Sequence, residues 1–100
     1  MRQQAVILNP KDNVATALAD MRAGATLELD TGERTMVIKL NDPVPFGHKF
    51  SLAKIESDSP VIKYGEAIGT ATATIQAGDY VHVHNVASAR ARGDLAGGAK

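Results

Sequence analysis

The sequence predicts a mainly β domain, α+β in class because of a single helix near its N-terminus. Three observations carry that reading. Apolar and polar residues alternate around Leu27–Leu29 and Met36–Leu40, the period of a half-buried strand. A run rich in threonine, alanine and isoleucine extends from Ala67 to Ile75, and a last strand from Tyr80 to His84. Only at Val14, Ala17, Leu18 and Met21 do apolar residues recur at spacings of three and four, the period of a helix.

The elements follow in order. Ala5-Val6-Ile7-Leu8 reads as a strand closed by the turn signal Asn9-Pro10. Asp12 or Asn13 is placed to cap the helix, its short side chain accepting from the unpaired amides of the first turn. Gly24 ends that helix, because glycine enters the left-handed conformation most cheaply. Leu27 and Leu29 face Met36, Ile38 and Leu40 across a hairpin whose loop is Asp30-Thr31-Gly32-Glu33. Pro43, Pro45 and Gly47 exclude a helix or central strand from 41–49, and Leu52 to Ile55 fits a short helical turn. Val61-Ile62-Lys63 leads into a Tyr64-Gly65 turn, and Gln76-Ala77-Gly78-Asp79 turns into the last strand. The domain is drawn as residues 1–86. Residues 87–100, alanine, glycine and arginine without an apolar period, read as a flexible C-terminal tail. No internal repeat is visible along the chain.

Composition narrows the function. A chain of 100 residues has room for one domain, and 44% hydrophobic with 22% charged residues is a globular balance. Eleven basic residues cancel eleven acidic ones, so neither nucleic acid nor a membrane surface is an expected partner. There is no apolar stretch of membrane-spanning length, no signal-peptide pattern and no cysteine, which points to a cytoplasmic, soluble domain. A chain this short rarely holds a deep pocket of its own, so any catalysis is expected beside a larger partner.

Several residues are suited to chemistry. His82 and His84 lie two apart in the expected strand, on one face, with Val81 and Val83 turned to the core. Such a pair can ligate a divalent metal once a third ligand is added, though the same spacing also suits an exposed edge strand. His48 and Lys49 stand in Val44-Pro45-Phe46-Gly47-His48-Lys49-Phe50, a proline-stiffened loop flanked by phenylalanines. Rigid apolar flanks are what a positioned acid–base pair requires, and imidazole titrates near neutrality. The plain alternative is a turn whose phenylalanines pack and whose polar residues are solvated. Lys63 and Tyr64 occupy a tight turn where the ammonium can hold a carboxylate, or where Tyr64 simply covers the end of the core. Asn85 can offer its amide to a ligand or close the strand end. Arg92-Gly93-Asp94 matches an adhesion tripeptide by chance composition only.

Taken together, these stretches resemble a known family. The segments Ile7-Leu8 through Leu18, Val44 through Phe50, Val61 through Gly69 and Gly78 through Asn85 are similar to the SAF-type domain of the altronate and galactarate dehydratases. The small subunit of sulfolactate sulfo-lyase is similar too. The likeness covers about residues 5 to 86; in the family a glycine usually stands before the Val61 strand, where this chain has Ser57-Asp58-Ser59-Pro60. The resemblance implies a β-clip fold of short twisted strands. It also implies a role as small subunit, or N-terminal equivalent, of a metal-dependent hydro-lyase that removes water from a sugar acid such as altronate or galactarate. The expected partners are a large catalytic subunit and the sugar-acid substrate, with self-association left open. The expected cofactor is a divalent ion, Fe(II) or Mn(II), held mainly by the large subunit. On this reading His48 and Lys49 are catalytic, Lys63, Tyr64 and Asn85 bind substrate, and His82 and His84 bind metal. The competing expectation is a SAF-type binding or assembly module without catalysis.

Overall fold

The computed structural model describes residues 4–30 and 35–88, and all regular structure among them is β. Nine strands follow one another: β1 (Ala5–Val6), β2 (Val14–Ala17), β3 (Thr26–Asp30), β4 (Thr35–Lys39), β5 (Lys49–Ser51), β6 (Pro60–Lys63), β7 (Glu66–Ala71), β8 (Tyr80–Val81) and β9 (Val86–Ser88). They form a four-stranded sheet in the order β1-β2-β5-β8, the hairpin β3-β4 and a three-stranded sheet β6-β7-β9, with every pair antiparallel.

The expected N-terminal helix is not there. Val14–Ala17 is instead an interior strand, paired with β1 on one side and with β5 on the other. Small side chains at Ala15 and Ala17 allow neighbours close on both sides, and the two flanking strands satisfy backbone groups that a helix would have satisfied internally. The apolar stripe that suggested a helix does not form one buried face, since Leu18 is exposed while Val14, Ala17 and Met21 are buried. Asp12, expected as a helix cap, is buried and accepts from the Tyr64 and Gly65 amides at 3.1 and 2.8 Å, bracing the β6–β7 turn. Leu52–Ile55 is likewise not helical; it bends into a bridge between Ile55 and Ile75.

The expected hairpin is present, with Leu27 opposite Ile38 and Leu29 opposite Met36, but Asp30, expected in its loop, ends β3 opposite Thr35. Its residues Thr31, Gly32 and Glu33 lie outside the described residues, as does the expected tail from 89 onward, including Arg92-Gly93-Asp94. Ala87 and Ser88, drawn as the start of that tail, belong to β9, which pairs with β7.

The central sheet separates two cores. Ala5, Ala15, Ala17 and Phe50 pack with the hairpin residues Leu27, Leu29, Ile38 and Leu40, and Tyr80 lies against this cluster. Val14 and Val81, one residue out of step, pack on the other side with Ile55, Val61, Ala71 and Ile75. Strand alternation produces this division, because adjacent residues leave a strand on opposite faces.

A repeated module underlies the sheets. Met21, Val44, Ile55 and Ile75 are buried bridge residues, joined reciprocally as Met21↔Val44 and Ile55↔Ile75. Three residues after each comes one with positive φ: Gly24 (87°), Gly47 (83°), Asp58 (73°) and Gly78 (90°). Three further on is a buried apolar residue, Leu27, Phe50, Val61 or Val81. In each copy the positive-φ amide donates to a buried residue in, or directly after, another strand, and that residue's amide donates back to the following carbonyl. The four partners are Leu40, Ala17, Ala71 and Ser51. Each module thus converts one β-turn into a clamp on a neighbouring strand.

Asp58 is the one non-glycine in this position, and it fills the place where a glycine was expected. Left-handed backbone costs an L-residue ~1–2 kcal/mol, while a glycine adds roughly 0.5–1 kcal/mol of unfolded-state entropy. Asp58→Gly is therefore expected to stabilise the chain by about 0.5–1 kcal/mol, seen as a higher urea midpoint. A lower midpoint would remove the strain argument.

Candidate functional site at the edge of the central sheet

The site begins with the turn Pro45-Phe46-Gly47-His48. The His48 amide donates to the Pro45 carbonyl at 3.0 Å, and Gly47, at φ 83°, supplies the third-position conformation of a type II turn. The turn is fixed from outside as well. The Gly47 amide donates to Ala17, the Ala17 amide donates to His48, and the Phe46 amide donates to the Asp20 carboxylate at 2.8 Å. His48 therefore enters β5 from a held loop, as its proline-braced context suggested.

β5 pairs with the edge strand β8, Lys49 opposite Val81 and Phe50 opposite Tyr80. Alternation puts His48 on the Phe50–Tyr80 side, and the ring nitrogen Nδ1 of His48 meets the Tyr80 hydroxyl at 2.6 Å. Tyr80 is the hub of all three histidines. Its ring centroid lies 5.6 Å from His48, 5.6 Å from His82, nearly parallel at 17°, and 5.5 Å from His84. His48 and His82 are themselves 4.9 Å apart. The three imidazoles thus gather on one open surface, with His82 and His84 exposed and His48 half-buried.

The route by which they gather differs from the expected one. β8 ends at Val81, and 82–85 is a turn, so His82 and His84 are not neighbours on a strand face. Val83, expected in the core, is 81% exposed, whereas Val81 is buried. The turn is built by Asn85. Its Oδ1 accepts from the His82 amide at 3.0 Å, its Nδ2 donates to the Tyr80 carbonyl at 2.8 Å, and its own amide donates to the His82 carbonyl. Asn85 thus holds the histidine turn through both side-chain polar atoms. Asp42 completes the frame by accepting from the Tyr80 amide at 3.0 Å.

Lys49 lies on the opposite side of the sheet from His48. It lines an open cleft of about 300 Å³ with Ile68, Val81, His82, Val83, Val86 and Ser88. His82 belongs to both places: it rounds the sheet edge, touching His48 and Tyr80 while forming one wall of the cleft. Burial lowers the Lys49 pKa below the ordinary lysine value, and the nearby Lys63 charge lowers it further. Among the described residues no carboxylate lies in ion-pair contact with Lys49 or Lys63. Lys63 also sits over the Tyr64 ring, 5.0 Å from its centroid, on the β6–β7 turn; Tyr64 is exposed and keeps this lysine rather than an imidazole as its ring partner.

A charged group drawn into a mostly apolar wall costs stability in the absence of a partner. The folded state of Lys49 binds its proton less tightly than the unfolded state, so its contribution becomes less unfavourable as pH rises toward the ordinary lysine range. Lys49→Met is accordingly expected to raise the thermal midpoint at neutral pH, with the gap to wild type narrowing as pH increases. Equal midpoints at neutral pH would show that burial of this ammonium carries no cost.

Among the described residues no group of three or more His, Asp or Glu side chains is arranged to hold an ion. His48 commits Nδ1 to Tyr80, and His82 and His84 meet through the Tyr80 ring between them. Among the described residues, these three histidines therefore do not make a complete metal site.

Sequence reasoning missed Tyr80. The signal was present, since Tyr80, His82 and His84 alternate, but the tyrosine was read only as strand. Asp42 and Asp20 were also missed, and short acceptor side chains beside Pro-containing loops are the pattern that points to them.

The described residues thus form an all-β domain with an imidazole–phenol cluster at one sheet edge and a lysine-bearing cleft behind it. The chain belongs to the altronate/galactarate dehydratase SAF domain family, whose profile it matches over residues 3–89. It is similar to the altronate dehydratase of Escherichia coli (strain K12), 43% identical over 82 residues, which are 82% of this chain and 16% of that protein. It is similar also to the altronate dehydratase of Bacillus subtilis (strain 168), 35% identical over 78% of this chain and 15% of the relative. A third relative is the (2R)-sulfolactate sulfo-lyase subunit alpha of Chromohalobacter salexigens, 40% identical over 58% of this chain and 62% of that subunit. The chain spans under a fifth of either dehydratase.

Proposed function

We propose that this chain is the small subunit, or the N-terminal equivalent, of a hydro-lyase that dehydrates a sugar acid such as altronate or galactarate to a 2-keto-3-deoxy acid. Family membership supports the reaction class, and the observation that carries the site is the 2.6 Å His48–Tyr80 contact beside the lysine-bearing cleft. The subunit reading draws support from the sulfo-lyase relative, which is named as a subunit and is matched over a similar share of both chains.

In the proposed reaction a proton leaves the carbon beside the carboxylate and the hydroxyl of the next carbon departs as water. The resulting enol tautomerises to the 2-keto acid. His48 is the acid–base group, using the nitrogen that Tyr80 leaves free. Lys49, across the sheet from His48 and with Lys63 nearby, gives the cleft behind the cluster a positive charge; the carboxylate beside the carbon that His48 deprotonates is left to the large subunit. Asn85 acts by holding the turn that carries His82. The divalent ion, Fe(II) or Mn(II), is assigned to the large catalytic subunit, where it supplies charge stabilisation. Phe46 and Val83, exposed at the two turns that frame the site, are the apolar groups offered to that subunit.

The experiment is reconstitution with the large catalytic chain, following 2-keto acid formation from altronate and from galactarate. The expected result is turnover that requires both chains. Full turnover by the large chain alone would overturn a catalytic role, and release of sulfite from sulfolactate would move the chain to the sulfo-lyase branch.

A further inference from the structure

Tyr80 is held more completely than a residue that merely fills space at a sheet edge. Its backbone amide is bound by Asp42, its carbonyl by Asn85, and its neighbour across the sheet is the fully buried Phe50. These restraints deliver one polar atom, the phenol oxygen, to one nitrogen of one histidine. The aromatic ring packs partly against the core cluster while its hydroxyl end reaches the surface, the arrangement for which tyrosine's apolar body and polar tip are suited.

We infer that Tyr80 is a positioning residue: its hydroxyl engages Nδ1 of His48, fixes the plane of the imidazole, and leaves Nε2 as the nitrogen that exchanges protons with a ligand. The chemistry follows from the two-nitrogen ring. A hydrogen bond at one nitrogen decides which proton states the other presents, so a fixed partner at Nδ1 gives the ring a defined working end. The same logic operates wherever a base is oriented by a third group. Tyr80 is the stronger candidate for this task than His82, which meets His48 in a tilted ring contact, 44° between planes, without a hydrogen bond. His82 in turn stacks on Tyr80, so the phenol ring is braced from the side away from the core.

This role rests on the acid–base reading of His48, and the test separates the two. The full chain, labelled with ¹⁵N at its histidines, is compared with Tyr80→Phe, which keeps the ring and removes only the hydroxyl. The expected result is a shift of the His48 Nδ1 resonance toward that of an unbonded ring nitrogen, with the His84 resonances unchanged. In the reconstituted enzyme the same variant is expected to lower kcat about 10-fold with KM little altered, the pattern of an interaction used in the transition state. An unmoved His48 Nδ1 resonance would overturn the inference whatever the activity. If the resonance moves while His48→Ala leaves turnover intact, the contact stands as structure and the positioning role falls with the catalytic reading. Should Tyr80→Phe fail to fold, 3-fluorotyrosine keeps the shape and changes only the phenol acidity; an unaltered His48 resonance in that protein overturns the inference equally.

Discussion

Replacement of His48 by alanine is expected to lower turnover of the reconstituted dehydratase by about 10²–10⁴-fold, the usual span for loss of a positioned acid–base group. The magnitude rests on position as much as on residue type. His48 is half-buried, its loop is fixed by Ala17 and Asp20, and its Nδ1 is bound to Tyr80. The effect should fall on kcat, because proton transfer belongs to the chemical step. His48→Gln serves as a control for shape, since an amide can bond to Tyr80 but cannot shuttle a proton near neutral pH. Both variants should keep the wild-type urea midpoint to within a small margin, as the ring reaches the surface. Turnover near wild type in either variant would take His48 out of the mechanism. Activity retained by glutamine and lost with alanine would reduce it to a hydrogen-bonding contact.

The largest expected effect on stability comes from Gly78→Ala. Gly78 has φ 90°, and a Cβ placed on it would run into the Lys39 carbonyl oxygen and approach Leu40 Cα at 3.4 Å. These are backbone atoms at the end of β4, pinned by the Asn41 amide that donates to the Gly78 carbonyl at 2.9 Å. Left-handed strain of ~1–2 kcal/mol and overpacking of ~1–3 kcal/mol then add, giving a loss of about 3 kcal/mol. Against a total stability of roughly 5–15 kcal/mol this is a large fraction. Gly24→Ala isolates the first contribution. It has nearly the same φ, 87°, but nothing lies within 4 Å of its Cβ position, so about 1 kcal/mol is expected. Urea unfolding of the two variants measures the difference directly, and equal losses would mean that the close approach to Lys39 is relieved by movement of the strand.

Much of the β structure was legible from residue alternation. Leu27, Leu29, Met36 and Ile38 announced the hairpin, because one face had to be buried, but not its register: Asp30, expected in the loop, pairs with Thr35. The Tyr64-Gly65 turn was legible for a related reason. Both residues take positive φ, 59° and 75°, and a glycine in a tight two-residue turn signals that geometry. The helix was misread because spacing at Val14, Ala17, Leu18 and Met21 fits two structures, and the choice was made by β1 and β5, which lie elsewhere in the chain. The fourfold module escaped notice for a different reason. Its signature is only three positions set three residues apart, its copies recur at unequal intervals, and Asp58 replaces glycine in one of them. In the site, local spacing identified all three histidines but not the partner that unites them. Tyr80 reaches His48 only through the β5–β8 pairing, a contact between segments more than twenty residues apart. Lys49 and His48, adjacent in sequence, were read as a pair; a strand sends neighbours to opposite sides, and the sheet divides them.

The outer margin of β8 has a consequence for how another protein approaches. An open sheet margin normally invites an incoming chain to continue the hydrogen-bond ladder, whether as a ligand peptide or as the start of an aggregate. Here the amide and carbonyl that Tyr80 would offer are already occupied by Asp42 and Asn85. That plug closes the ladder, so a protein engaging this margin must read it through side chains, by shape and charge, and a fibril-like extension of the sheet at β8 has no backbone group of Tyr80 with which to start.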